Sequence, residues 1–175
     1  MKYPICKRSH PVYSVIWLLG LLWYFPITQA ADKQIIGWLE QVHINEARIV
    51  LDAKIDTGAD NSSIKAKILK KYERDGKQWV RFRLRDKHNH TVVLERKIER
   101  YTRIKRKMAP AIRRPVVKLG LCLGNVFREA EVNLAERKKF KYHILIGRSF
   151  LKGIFLVDSD MQYETRPVCP DIKGD

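Results

Sequence analysis

The chain has 175 residues, 35 Lys and Arg against 19 Asp and Glu, a formal charge of +16 and 45% hydrophobic residues. That composition supports a packed core and excludes wholesale disorder, and the length suggests one domain. Three cysteines are too few for a disulfide-built miniprotein or a four-cysteine zinc site, and the one long apolar run, Val12 to Ile27, excludes a multi-span membrane protein.

The first thirty residues read as an export leader. Lys2, Lys7 and Arg8 form a basic start, Val15 to Phe25 an apolar stretch short for a spanning helix, and Thr28-Gln29-Ala30 a cleavage site before Ala31. The expected location is therefore periplasmic or secreted, with an uncleaved N-terminal anchor as the alternative. Removing the leader takes three basic residues and no acid, leaving 145 residues (31–175) with a charge of +13 and two cysteines, Cys122 and Cys169. These can form one bond tying the tail to the body, or stay as thiols.

In chain order, strands are expected over residues 35–39, 49–55, 79–84, 91–94, 115–121, 126–132 and 154–157, where period-two patterns or short apolar runs are bounded by polar turns. Asp75-Gly76 and Gly124-Asn125 are hairpin-turn signals. A short helix is expected at Arg148–Lys152, ended by Gly153. Residues 96–114 break the texture with nine basic residues against one acid, Glu99, and Met108-Ala-Pro-Ala ends any strand there. That segment is either a solvated loop or mobile hairpin, or an electrostatic surface for an acidic substrate, an anionic envelope polymer or a membrane face. An exported location makes nucleic acid the poorer partner. The expectation is an all-β small barrel or sandwich.

The chemistry concentrates at Lys54-Ile-Asp-Thr-Gly-Ala-Asp-Asn-Ser-Ser-Ile64. An apolar strand delivers Asp56, a candidate acid or base, into a turn. The Thr57 hydroxyl can fix that turn, Gly58 lets the backbone point an N–H at the carboxylate, and Ala59 is small enough for close packing. The same residues also suit an ordinary turn. About ninety residues later Tyr142-His-Ile-Leu-Ile-Gly-Arg-Ser-Phe-Leu151 runs from an apolar strand into the short helix.

Together these two segments resemble the marks of the retropepsin fold: the Asp-Thr-Gly-Ala active-site loop, and the apolar-apolar-Gly-Arg segment (Ile146, Gly147, Arg148) packing beneath it. More closely, the chain is similar to a bacterial retropepsin-like family long catalogued as ATP-dependent zinc proteases, with further matches at residues 79–82, 114–119, 130–137 and 155–158. The resemblance implies a small closed barrel of the acid-protease type with one short C-terminal helix. It also implies Asp56, Thr57 and Gly58 as catalytic residues and Ala59 and Asp60 as substrate-binding residues. Lys65 stands where that family usually has a histidine, and Asp60 resembles the retroviral aspartate that contacts substrate backbone. The family's catalogue name finds no counterpart in a phosphate loop or a His-Glu-x-x-His pair. Only His88-Asn89-His90 puts two histidines on one strand face, so no metal and no cofactor is expected.

Aspartic proteolysis needs two carboxylates sharing one proton. This chain has one Asp-Thr-Gly, since Asp158-Ser-Asp160 lacks the glycine. The expected form is a homodimer acting on a protein or peptide substrate, with a lid formed by the turn around residues 85–90 or by the basic segment. The alternatives are an inactive binding module of the same fold, for an anionic envelope polymer or partner protein, and a metal-dependent hydrolase.

Overall fold

The computed structural model describes residues 32–106, 109–136 and 141–169. The leader, and Lys107 and Met108 of the basic segment, lie outside the described residues. Eleven strands and one helix follow in chain order: β1 (Gln34–Ile44), β2 (Ile49–Ile55), β3 (Ser62–Lys65), β4 (Lys67–Arg74), β5 (Lys77–Arg85), β6 (Thr91–Lys97), β7 (Arg100–Arg106), β8 (Ala109–Leu123), β9 (Val126–Ala135), β10 (Ile144–Ile146), α1 (Arg148–Leu151) and β11 (Phe155–Gln162).

Six strands close a ring in the order β1, β2, β10, β3, β9, β8 and back to β1, with β11 outside β1 and β7 outside β8. The ring needs no wide radius because its strands are β-branched and Leu-rich on the inner side: Ile36, Val42, Ile44, Leu51, Ile64 and Leu121 are among its fully or nearly fully buried residues. The fold is thus the all-β barrel expected. β1 serves three neighbours. Its first half pairs in parallel with β11, its second half with β2 and β8. Gly37 sits at the crossing, where a Cβ would lie 2.6 Å from the Met161 carbonyl carbon, so only glycine lets β11 pass.

β4, β5 and β6 form a separate antiparallel sheet laid over the barrel. Val80, Phe82, Leu84 and Leu94 join the barrel core, and Glu46, in the 3-10 turn at Asn45–Ala47, ties the layers by accepting from Gly120 N–H at 3.0 Å and facing Arg96 at 3.6 Å. Both expected turn dipeptides are turns, with positive φ at Asp75, Gly76 and Gly124.

The basic segment takes one of its expected forms and departs from expectation only in its second strand. It is a hairpin of β7 and β8, and β8 runs through Pro110 and Pro115 instead of ending near Met108. Pairing with β9 begins only at Val116, so residues 109–115 are laddered, among the described residues, to β7 alone. Each proline then sits on a strand with one free edge, where a missing N–H breaks no ladder bond.

The choice left open for the cysteines resolves as a Cys122–Cys169 disulfide, closing a loop of 47 residues and worth at most about 4 kcal/mol by chain entropy. The tail it anchors is also held by Glu40, fully buried on β1, which accepts from the N–H groups of Gly37, Glu164 and Thr165 at 2.7, 3.2 and 3.1 Å and from the Thr165 hydroxyl at 3.0 Å. Those four donors satisfy a carboxylate that water does not reach.

Candidate active site

The Asp56 loop starts where β2 leaves the barrel and ends where β3 re-enters it. β10 is wedged between those two strands, parallel to β2 and antiparallel to β3. Asp56 therefore begins the loop with its N–H bonded to the Ile146 carbonyl at 2.9 Å. The Gly58 N–H donates to Asp56 Oδ1 at 3.1 Å, and a Cβ on Gly58 would stand only 3.3 Å from that oxygen. The arrangement orients one carboxylate oxygen and leaves the half-buried Asp56 side chain facing outward.

Gly147 and Arg148 clamp the loop from below. A Cβ at Gly147 would lie 2.6 Å from the Asn61 carbonyl carbon, which makes glycine obligatory for this contact. The N–H groups of Arg148 and Ser149 donate to the carbonyls of Ala59 and Asp60, each at 2.9 Å. The Arg148 guanidinium donates to the Thr57 and Gly58 carbonyls at 2.9 Å each and faces Asp60 at 3.8 Å. Ile146 is buried beneath. All eight residues singled out in the sequence thus meet in one place. The expected role of Thr57 differs: its hydroxyl has no partner among the described residues and is exposed, and Arg148 fixes the turn in its stead.

Two supports escaped the sequence reading. Ser62, fully buried, accepts from the Gly147 N–H through its hydroxyl at 3.1 Å, and Asn133 on β9 donates to the Ser62 carbonyl at 2.7 Å. Nothing local in Asn61-Ser-Ser marks a hydroxyl that acts 85 residues away. Beside them Arg100 bridges Asn61 at 3.3 Å and Glu131 at 2.7 Å, and Arg114 reaches Asn133 at 3.4 Å. The base of the β7–β8 hairpin therefore lies against the loop, whereas residues 85–90 join β5 to β6 in the other sheet.

His88 and His90 lie in that turn and not on a strand face; both backbone N–H groups donate to Asp86 Oδ1 at 2.9 Å. Among the described residues no three His, Cys, Asp or Glu side chains converge to hold a metal, so the donor set does not fit a zinc centre. His143, just before β10, has its pKa pushed down, first by burial and then by Lys65.

Residues 35–167 match the RimB-like family, described as the retropepsin-like aspartic endopeptidase RimB. The chain belongs to this family. Among curated proteins it is similar to a probable alpha-L-glutamate ligase of Shewanella pealeana, 30% identical over 71% of this chain and 27% of that one. Another probable alpha-L-glutamate ligase, from Desulfotalea psychrophila, is 29% identical over 78% of this chain and 30% of that one. The chain thus spans less than a third of the length of those ligases. A crystal structure of a Legionella pneumophila protein of unknown function superposes with a TM-score of 0.66 at 30% identity, over 77% of this chain and all of that one.

Proposed function

We propose that two copies of this chain form an aspartic endopeptidase, each supplying Asp56 to a shared dyad. The observation that carries the reading is the half-site itself: one carboxylate on a loop clamped from β10 and α1, oriented by Gly58 and open on its outer side. Two such carboxylates across a two-fold axis cannot both ionise, so one keeps a proton. The ionised member takes a proton from a water held between them; that water attacks the scissile carbonyl while the protonated member donates to its oxygen. No metal and no covalent intermediate are needed.

Three features support the two-fold arrangement. The Thr57 hydroxyl beside the carboxylate is exposed without a partner among the described residues. β11 is an edge strand, its outer side unpaired among the described residues. Ile35 and Leu156, directly paired in register, expose 55% and 51% of their surface near that edge. An open groove of about 610 Å³ beside them is lined by Thr57, Asp60, Arg148 and residues of β11.

The β7–β8 hairpin is the better of the two segments to border a bound peptide, because Arg100 and Arg114 anchor it beside the loop. Its basic character favours acidic peptides, with cleavage weakening as salt rises. The ligase name belongs to proteins well over twice this chain's length, and the portion shared with them is the hydrolytic part. Cleavage outside the cytoplasm follows if the leader exports the chain.

The test is an Asp56→Asn chain assayed against a peptide library at acidic pH. The expected result is normal folding and self-association with no peptide-bond cleavage. Retained cleavage would end the aspartic assignment, and chelator-sensitive cleavage would move it to a metal-dependent hydrolase.

A further inference from the structure

The face of the β4–β5–β6 sheet turned away from the barrel has no part in the site above. Strand alternation places Lys67, Lys70, Arg74, Arg81, Arg83 and Arg85 on it, opposite the buried Val80, Phe82 and Leu84. Glu95 is the one acid whose strand position faces that side among the described residues. It is already engaged, accepting from the Tyr72 hydroxyl at 2.9 Å and facing Arg81 at 3.5 Å.

Two rings on the same face act as supports for cations. The Arg74 guanidinium stacks 3.6 Å from the centre of the Trp79 ring, and the Lys70 ammonium stands 5.9 Å from that of Tyr72. Stacking restrains a long side chain and leaves the guanidinium edge free, so less freedom is lost when an oxyanion takes its N–H fork.

We propose that this face binds an anionic polysaccharide, a linear sugar polymer bearing carboxylate or sulfate groups. Arg81, Arg83 and Arg85 project from one strand at intervals of about 6.6–7 Å, with Lys67 and Lys70 alongside on the neighbouring strand about 4.8 Å away. A row of cations on an open sheet, with no enclosing wall, suits a repeating ligand better than a single small anion. Four of the cations on this face are arginines, whose planar forks suit carboxylate or sulfate recognition.

Other polyanions fit less well. Single-stranded nucleic acid uses open aromatic faces to stack its bases, and here Arg74 covers Trp79 while Tyr72 is tied to Glu95. A membrane surface calls for apolar side chains to insert, and Val93 is the one aliphatic side chain that strand position turns outward on β5 and β6. An acidic polypeptide adds to a sheet through backbone bonds at an edge, whereas these cations project from the face. The proposal does not depend on hydrolysis at Asp56.

The experiment is titration of the whole protein against polygalacturonate and dextran sulfate at 150 mM salt (on the order of physiological ionic strength). Neutral dextran, oligo-dT, polyglutamate and anionic phospholipid vesicles serve as comparisons. The expected result is binding to both anionic polysaccharides and none to dextran. Arg74→Gln/Arg83→Gln/Arg85→Gln should lose about tenfold or more in affinity and show a weaker salt dependence. Lys54→Gln/Lys118→Gln/Arg166→Gln, which removes the same charge elsewhere, should lose less than about threefold. Circular dichroism and melting temperature confirm that both variants fold, and the Asp56→Asn chain should bind as the wild type does. Absent binding, equal loss in the two triple variants, or tighter binding to oligo-dT, polyglutamate or vesicles would overturn the proposal.

Discussion

The active-site loop and the outer face of the β4–β5–β6 sheet are both polar, yet opposite forces fix them. The loop is held by directional backbone bonds: Asp56, Arg148 and Ser149 donate into it or from it, and the buried bonds of Ser62 and Asn133 close the rear. The two rear bonds lie where water cannot replace them, so losing one exposes a desolvated group. The sheet face is held by solvent-exposed charges and ring contacts, which water replaces at little cost. The difference separates two kinds of polar surface. One is rigid, sensitive to single atoms and suited to placing a carboxylate; the other is tolerant, adaptable and suited to attracting a charged polymer.

That contrast breaks first at Gly147. Gly147→Val puts side-chain carbon into the Asn61 backbone and should cost more than about 4 kcal/mol or prevent folding, read from urea denaturation. A melting curve close to wild type would show that the clamp is not rigid. Ser62→Ala comes next. It leaves the buried Gly147 N–H without an acceptor and should cost about 1–3 kcal/mol, with catalytic loss exceeding what instability explains.

The smaller effects sharpen the other side. His143 has a lowered pKa, so its neutral form belongs to the folded state. Its contribution to stability is present above the ordinary value of 6.5 and is lost as pH falls through the folded value. His143→Gln should therefore flatten the decline in stability between about pH 7 and pH 5; an unchanged slope would place the sensitivity elsewhere. On the sheet face, Arg81→Gln breaks only an exposed pair with Glu95 and should shift stability by less than about 0.5 kcal/mol, measured by the same denaturation.

The barrel was legible in the sequence wherever one strand face is buried. β2 matches its expected residues 49–55 because Ile49, Leu51, Ala53 and Ile55 alternate inward. β4 and β7 were not legible. Lys-Ile-Leu-Lys-Lys-Tyr-Glu-Arg in β4 and Arg-Tyr-Thr-Arg-Ile-Lys-Arg in β7 show no apolar alternation in the sequence, and each is a strand chiefly through ladder bonds to one neighbour. The site divides the same way. Asp56-Thr-Gly and Ile146-Gly-Arg are contiguous, and their tasks belong largely to the backbone they shape. Ser62 and Asn133 act through bonds spanning 85 and 71 residues, which no local pattern encodes. Thr57 shows the limit most plainly, because its neighbours among the described residues leave its hydroxyl unused.

The central claim is that two chains contribute one carboxylate each. It is tested most directly by mixing wild-type and Asp56→Asn chains under exchange, at constant total concentration, and following peptide cleavage. A dyad shared across a two-fold axis makes activity fall as the square of the wild-type fraction, so an equal mixture retains about a quarter. A linear fall, with about half retained, would mean that each chain acts alone and would contradict the account.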